Sequence, residues 1–110
     1  MRQLLFDEIS QKDIRKIISY LKKQTEVTPL QNVFWVHLPE ELWDETQRDH
    51  RDCQPYYFAV EVGGNYLRIE LLIRSRQRIH CKCIKYANET QRAFILEFAD
   101  KLLETLKIRT

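Results

Sequence analysis

The sequence predicts an α+β fold, an antiparallel sheet of about four strands with N- and C-terminal helices packed on one face, in the order α-β-β-β-β-α. Three observations carry this. Apolar residues recur at helical spacing near both ends of the chain. The runs between them read as β-strands, and the only two glycines, Gly63-Gly64, stand together between two such runs. With 110 residues, 44% of them hydrophobic and 31% charged, the chain has the size and composition of one globular domain spanning residues 1–110.

The first helix is placed at residues 11–24. Ser10 with Asp13 resembles a capping box, and Ile9 and Ile14 occupy the positions of a hydrophobic staple. Ile14, Ile17, Ile18 and Leu21 form its apolar stripe, with an additional turn expected earlier, through Phe6. Thr28-Pro29 returns the chain to an extended path. Val33-Phe34-Trp35-Val36 marks a strand over 32–38, apolar on both faces. Pro39 suits the first position of a helical turn ending at Trp43. Residues 44–55 show no periodicity and form a polar connection long enough to be functional or mobile.

Two strands follow, Tyr56–Val62 and Asn65–Ile73, joined at Gly63-Gly64 by an expected two-residue turn with positive φ. A second turn, Arg74-Ser-Arg-Gln-Arg78, leads to a strand over Ile79–Tyr86. Asn88 with Gln91 begins the last helix, whose stripe is Phe94, Ile95, Phe98, Ala99, Leu102 and Leu106. Counting from the turns pairs Val62 with Asn65, Val60 with Leu67 and Phe58 with Ile69. It also pairs Ile73 with Ile79, Leu71 with Cys81, Ile69 with Cys83 and, on the outer face, Glu70 with Lys82.

This register puts Cys81 and Cys83 on the core face, where cysteine packs as a small hydrophobe. A second possibility is chemical. Two cysteines at i and i+2 of a strand point the same way and can offer two thiolates to a soft metal, with Cys53 and one of His37, His50 or His80 completing a tetrahedron. The spacing matches no common zinc module, so the leading expectation is a chain without metal or other cofactor.

The outer face carries Tyr57, Tyr66, Arg68, His80, Lys82 and Tyr86, extended at one end by Arg74, Arg76 and Arg78. Tyrosines interleaved with cations are what a stacking platform for single-stranded nucleic acid requires. Leu72 and Ile84 on the same face favour instead a protein partner, most simply a second copy in a homodimer.

Residues 39–52 carry a charge balance of −4 and residues 68–86 one of +5, so the two segments are expected to neutralise each other or to steer a charged partner. No glycine-rich phosphate loop, His-Glu-x-x-His or Gly-x-Ser-x-Gly occurs. The densest titratable cluster, Asp49-His50-Arg51-Asp52-Cys53, reads as a solvated loop, and an enzyme is not expected. An odd number of cysteines points to a reducing compartment, with cytoplasm as the expectation. The acidic turn of Met1–Ser10 does not read as a signal peptide, and no apolar run is long enough to span a membrane. The function expected is a small cytoplasmic binding module that self-associates through the outer sheet face, with nucleic-acid binding as the alternative.

Overall fold

In a computed structural model, which describes residues 1–110, the chain runs β1 (Gln3–Phe6), α1 (Gln11–Gln24), β2 (Glu26–Val27), β3 (Val33–His37), α2 (Glu45–Asp49), β4 (Tyr56–Val62), β5 (Leu67–Glu70), β6 (Leu72–Ser75), β7 (Lys85–Tyr86) and α3 (Glu89–Thr105). Single 3₁₀ turns lie at Glu40–Leu42 and Arg51–Cys53. The α+β class with terminal helices is as the sequence predicts, but the sheet has seven strands where four were expected. Two of the additional strands, β1 and β2, have four and two residues, too few for alternation to register as a pattern, and the third arises because the strand expected over Asn65–Ile73 is divided at Leu71 into β5 and β6.

The strands lie antiparallel in the order β1-β5-β4-β3-β2, and β6 bridges the start of β4 to β7. Strand β4 is the spine: Tyr56, Phe58, Val60 and Val62 point inward and are buried. Phe34 and Val36 of β3 and Leu67 and Ile69 of β5 extend that face. It joins Ile14, Ile17 and Leu21 of α1 and Ile95, Ala99 and Leu102 of α3 in one core of 22 residues. Phe58 meets Phe94 and Phe98 edge-on, with ring centroids 6.3 and 5.8 Å apart.

Both long helices start where expected. Ser10 Oγ accepts from the Asp13 amide, and Asn88 and Gln91 form a complete capping box. Ile9 and Ile14, the two staple positions, are both buried.

The hairpin registers differ from expectation. Val62 pairs with Leu67 and Val60 with Ile69, so residues 63–66 make a four-residue loop, and neither glycine has positive φ. Gly63 serves a steric purpose, because a Cβ there would collide with the Tyr66 ring. The slip is two residues, an even number, so the inner face keeps its expected membership.

The strand expected over Ile79–Tyr86 contracts to Lys85–Tyr86, and the pairing of Cys81 and Cys83 with Leu71 and Ile69 does not form. Two causes are visible. The free edge of β5 is taken by β1, with Leu4 opposite Ile69. Ser75 Oγ accepts from the amides of Gln77 and Arg78, both at 3.0 Å, and turns the chain off the sheet. Lys82 is therefore exposed in a turn, and Glu70 pairs with Arg74 at 3.0 Å.

The connection at 44–55 is built rather than irregular. Asp44 and Gln47 form a second capping box that starts α2, and the Asp44 carboxylate also meets Lys85 Nζ at 2.6 Å. With the Arg78–Asp52 pair at 3.8 Å, this joins the acidic and basic segments. No helix is long and apolar enough to cross a membrane.

Candidate metal centre

Leaving the sheet at Ser75 has a chemical consequence. The released segment folds back over the 44–55 connection and brings Cys81 and Cys83 to His50 and Cys53. The three sulfurs and one histidine nitrogen all lie within 4.8 Å of one another. A tetrahedron with zinc–donor bonds of about 2.0–2.3 Å has edges of roughly 3.7 Å, so the four donors are within about 1 Å of closing on an ion.

Each donor is positioned by local structure. His50 ends α2, and its amide donates to the Thr46 carbonyl. Cys53 closes the 3₁₀ turn that follows and is buried; its carbonyl accepts from the buried Ser75 hydroxyl at 2.5 Å, tying this turn to the one that releases the basic loop. Cys81 and Cys83 sit in a tight turn in which the Ile84 amide donates to the Cys81 carbonyl at 3.1 Å. In the same turn the Cys83 amide donates to Cys81 Sγ at 3.5 Å.

A buried amide network lies behind the thiols. Gln47 and Gln91 are each the closing residue of a capping box, and both are buried. Gln91 Nε2 donates to Gln47 Oε1 and to the Leu42 carbonyl, each at 2.9 Å. Gln47 Nε2 donates to the Cys83 carbonyl at 3.2 Å. The starts of α2 and α3 are thus hydrogen-bonded to the cysteine turn. Tyr56, also fully buried, donates to the Gln47 carbonyl at 2.8 Å, and burial with the Cys83 thiol beside it raises its phenol well above the usual range.

The thiols are electrostatically unequal. The Cys83 amide and thiol, together with His50 and Cys53, stabilise the Cys81 thiolate and lower its pKa to about 6. Burial, reinforced by the neighbouring Cys81, pushes Cys83 up to about 12. His50 Nδ1 is 2.9 Å from Cys81 Sγ. Half-buried Cys81 and His50 border a cleft of about 480 Å³ rimmed by Asp49, Arg51, Asp52, Arg78 and His80.

Of the residues singled out in the sequence, Cys53, Cys81 and Cys83 come together with one of the three histidines considered. His37 instead lies 3.6 Å from Glu26, and His80 is exposed at the cleft rim. The outer-face residues do not form one continuous platform. Tyr57 is buried and stacks on Trp35 at 4.4 Å, burial raising its phenol pKa, and the Arg76 guanidinium lies 4.9 Å above Trp35 while pairing with Glu26. Arg68 pairs with Glu61 and lies over Tyr66; Arg74 pairs with Glu70. Tyr86, on β7, lies beneath Arg2. Arg78, His80 and Lys82 are exposed in the loop between β6 and β7. The cap formed by Asn88 and Gln91 was expected, but the buried tie of Gln91 to Gln47 and the turn made by Ser75 were not anticipated, although Asp44-x-x-Gln47 repeats the cap signature of Asn88-x-x-Gln91.

No family model, curated protein or solved structure matches this chain.

Proposed function

We propose that the chain is a binding module whose presenting loop is held by a metal ion, Zn²⁺, at His50, Cys53, Cys81 and Cys83. One observation carries the reading: four soft or borderline donors, from two segments far apart in sequence, converge within 4.8 Å. Three sulfurs and an imidazole nitrogen suit zinc, and four protein donors complete its tetrahedron. A site filled by protein donors leaves no position for a substrate, which fits a structural role better than catalysis.

That role is local. Residues 76–84 contain no strand and bury little besides Cys83, so sheet pairing cannot hold their shape. An ion would pin this loop to the 50–53 turn and present Arg78, Ile79, His80 and Lys82 as one surface. Ile79 is 85% exposed, the most exposed of the large hydrophobic residues, and suits an anchor in a partner's pocket. The outer sheet face is a poorer surface for a partner or a second copy, since Tyr57 is buried and its arginines are matched by carboxylates.

Tag-free protein, purified without chelator and with its thiols reduced, is expected to carry one equivalent of zinc by elemental analysis. Cys53→Ser and Cys83→Ser should lose it. Metal-free protein that takes up no zinc when it is added would overturn the assignment.

A further inference from the structure

Helix α1 holds five of the chain's 18 Lys and Arg residues and one of its 16 acids. The helix thus carries +4 within a chain of net +2, and the remaining residues sum to −2. The charge is gathered on one surface. Lys12, Arg15, Lys16 and Lys23 line a groove of about 540 Å³ together with Ser19, Tyr20 and, from the chain after α3, Leu106. No carboxylate lines it, and only Lys16 has an acidic partner, Asp13 at 3.6 Å.

Helix stability does not account for this placement. Lys22 and Lys23 complement the negative end of the helix dipole, but Lys12 lies in the first turn, where positive charge is unfavourable, and Arg15 and Lys16 lie too far from either end to gain from it. The cations run from Lys12 to Lys23, roughly 16 Å along the axis, too far to serve one phosphate group. The apolar side of the helix, Ile14, Ile17 and Leu21, is committed to the core, so α1 has nothing to insert into a lipid surface.

We infer that the α1 groove binds the phosphate backbone of a nucleic acid. Lys12, Arg15, Lys16 and Lys23 contact successive phosphates, and half-buried Tyr20 offers a ring to a base. The surface shares no residue with the metal centre and stands or falls separately from it. It also differs from the tyrosine-bearing sheet face, whose arginines are already paired.

Fluorescence anisotropy with labelled single-stranded and duplex oligonucleotides tests the inference. Four phosphate contacts on a single strand give a log–log salt slope of about −3, so affinity should fall roughly 50-fold between about 50 and 200 mM salt. The triple variant Lys12→Glu, Lys16→Glu, Lys23→Glu should bind at least about tenfold more weakly at the lower salt. A matched triple, Arg2→Glu, Arg92→Glu, Lys101→Glu, at exposed positions outside both the groove and the metal centre, changes the net charge equally and should stay within about threefold of the parent. Versions of both triples with Gln in place of Glu should keep the same order, which guards against a folding defect. Absence of binding at low salt, equal losses in the two triples, or an affinity indifferent to salt would each overturn the assignment. Tighter binding to single strands than to duplex would support the part given to Tyr20, and equal binding would confine recognition to the backbone.

Discussion

Cys81 and Cys83 stand two positions apart, yet the fold pulls their proton affinities in opposite directions. Cys81 is half-exposed and accepts an amide hydrogen bond, whereas Cys83 is fully buried. With Cys81 at about 6, the metal-free chain should be alkylated first at Cys81 near neutral pH, with Cys53 and Cys83 reacting slowly from their buried positions. Peptide mapping after brief iodoacetamide treatment checks this order, and added zinc should protect all three. The pH dependence of metal binding has a definite sign. Cys83, at about 12, is protonated across the neutral range, so its proton must leave when the metal binds and affinity rises with pH. Below about 6 Cys81 must also lose a proton, and the fall in affinity on acidification should steepen by one proton. A flat affinity from pH 8 to pH 5 would contradict the thiolate assignment.

Among the elements, the starts of α2 and α3 do more than cap themselves. Their closing glutamines meet side chain to side chain, so two local sequence signals become one long-range tie between residues 44 and 91 and the cysteine turn. Gln91→Leu would leave the half-buried Leu42 carbonyl and the Asn88 amide without partners. It should cost about 1–3 kcal/mol in denaturant unfolding, against about 1 kcal/mol for Asn88→Ala. Gln47→Leu should also weaken metal binding, because it frees the Cys83 carbonyl. Helix starts were legible in the sequence because caps and apolar stripes are local. Strand partners were less so. The inner-face parity of β4 and β5 followed from alternation, but their register did not, because Gly63-Gly64 belongs to a four-residue loop in which the Tyr66 ring lies against Gly63. The fate of residues 79–84 depended on β1 reaching β5 from the far end of the chain. Cys81-x-Cys83 was legible as a pair of donors, whereas its meeting with His50 and Cys53 required the chain to leave the sheet at Ser75.

At the scale of the whole molecule, the core and the candidate metal centre are largely separate supports. The 22-residue core includes Cys53 and Cys83 at its margin, but its mass is the inner sheet face with α1 and α3. A chain of this length can bury enough apolar surface to fold without metal. Chelation is therefore expected to leave the sheet and both long helices folded while hydrogen-exchange protection is lost around residues 50–54 and 76–84. Zinc at about a thousandfold over its dissociation constant should add about 4 kcal/mol to unfolding stability. Complete unfolding on chelation would mean that the core has been overrated. Charge is divided in the same way, with a basic α1 set against a remainder that is slightly acidic.

His50, Cys53, Cys81 and Cys83 are proposed to bind one ion as a tetrahedral set. Titration of the reduced, metal-free protein with Co²⁺ tests it most directly, since the absorption spectrum reports both thiolate ligation and geometry. Saturation at one equivalent, intense thiolate-to-cobalt charge transfer, tetrahedral visible bands, and displacement of all of these by zinc are expected. Loss of the bands in Cys53→Ser would add that the site draws on both segments. Weak octahedral bands, or no thiolate signal, would contradict it.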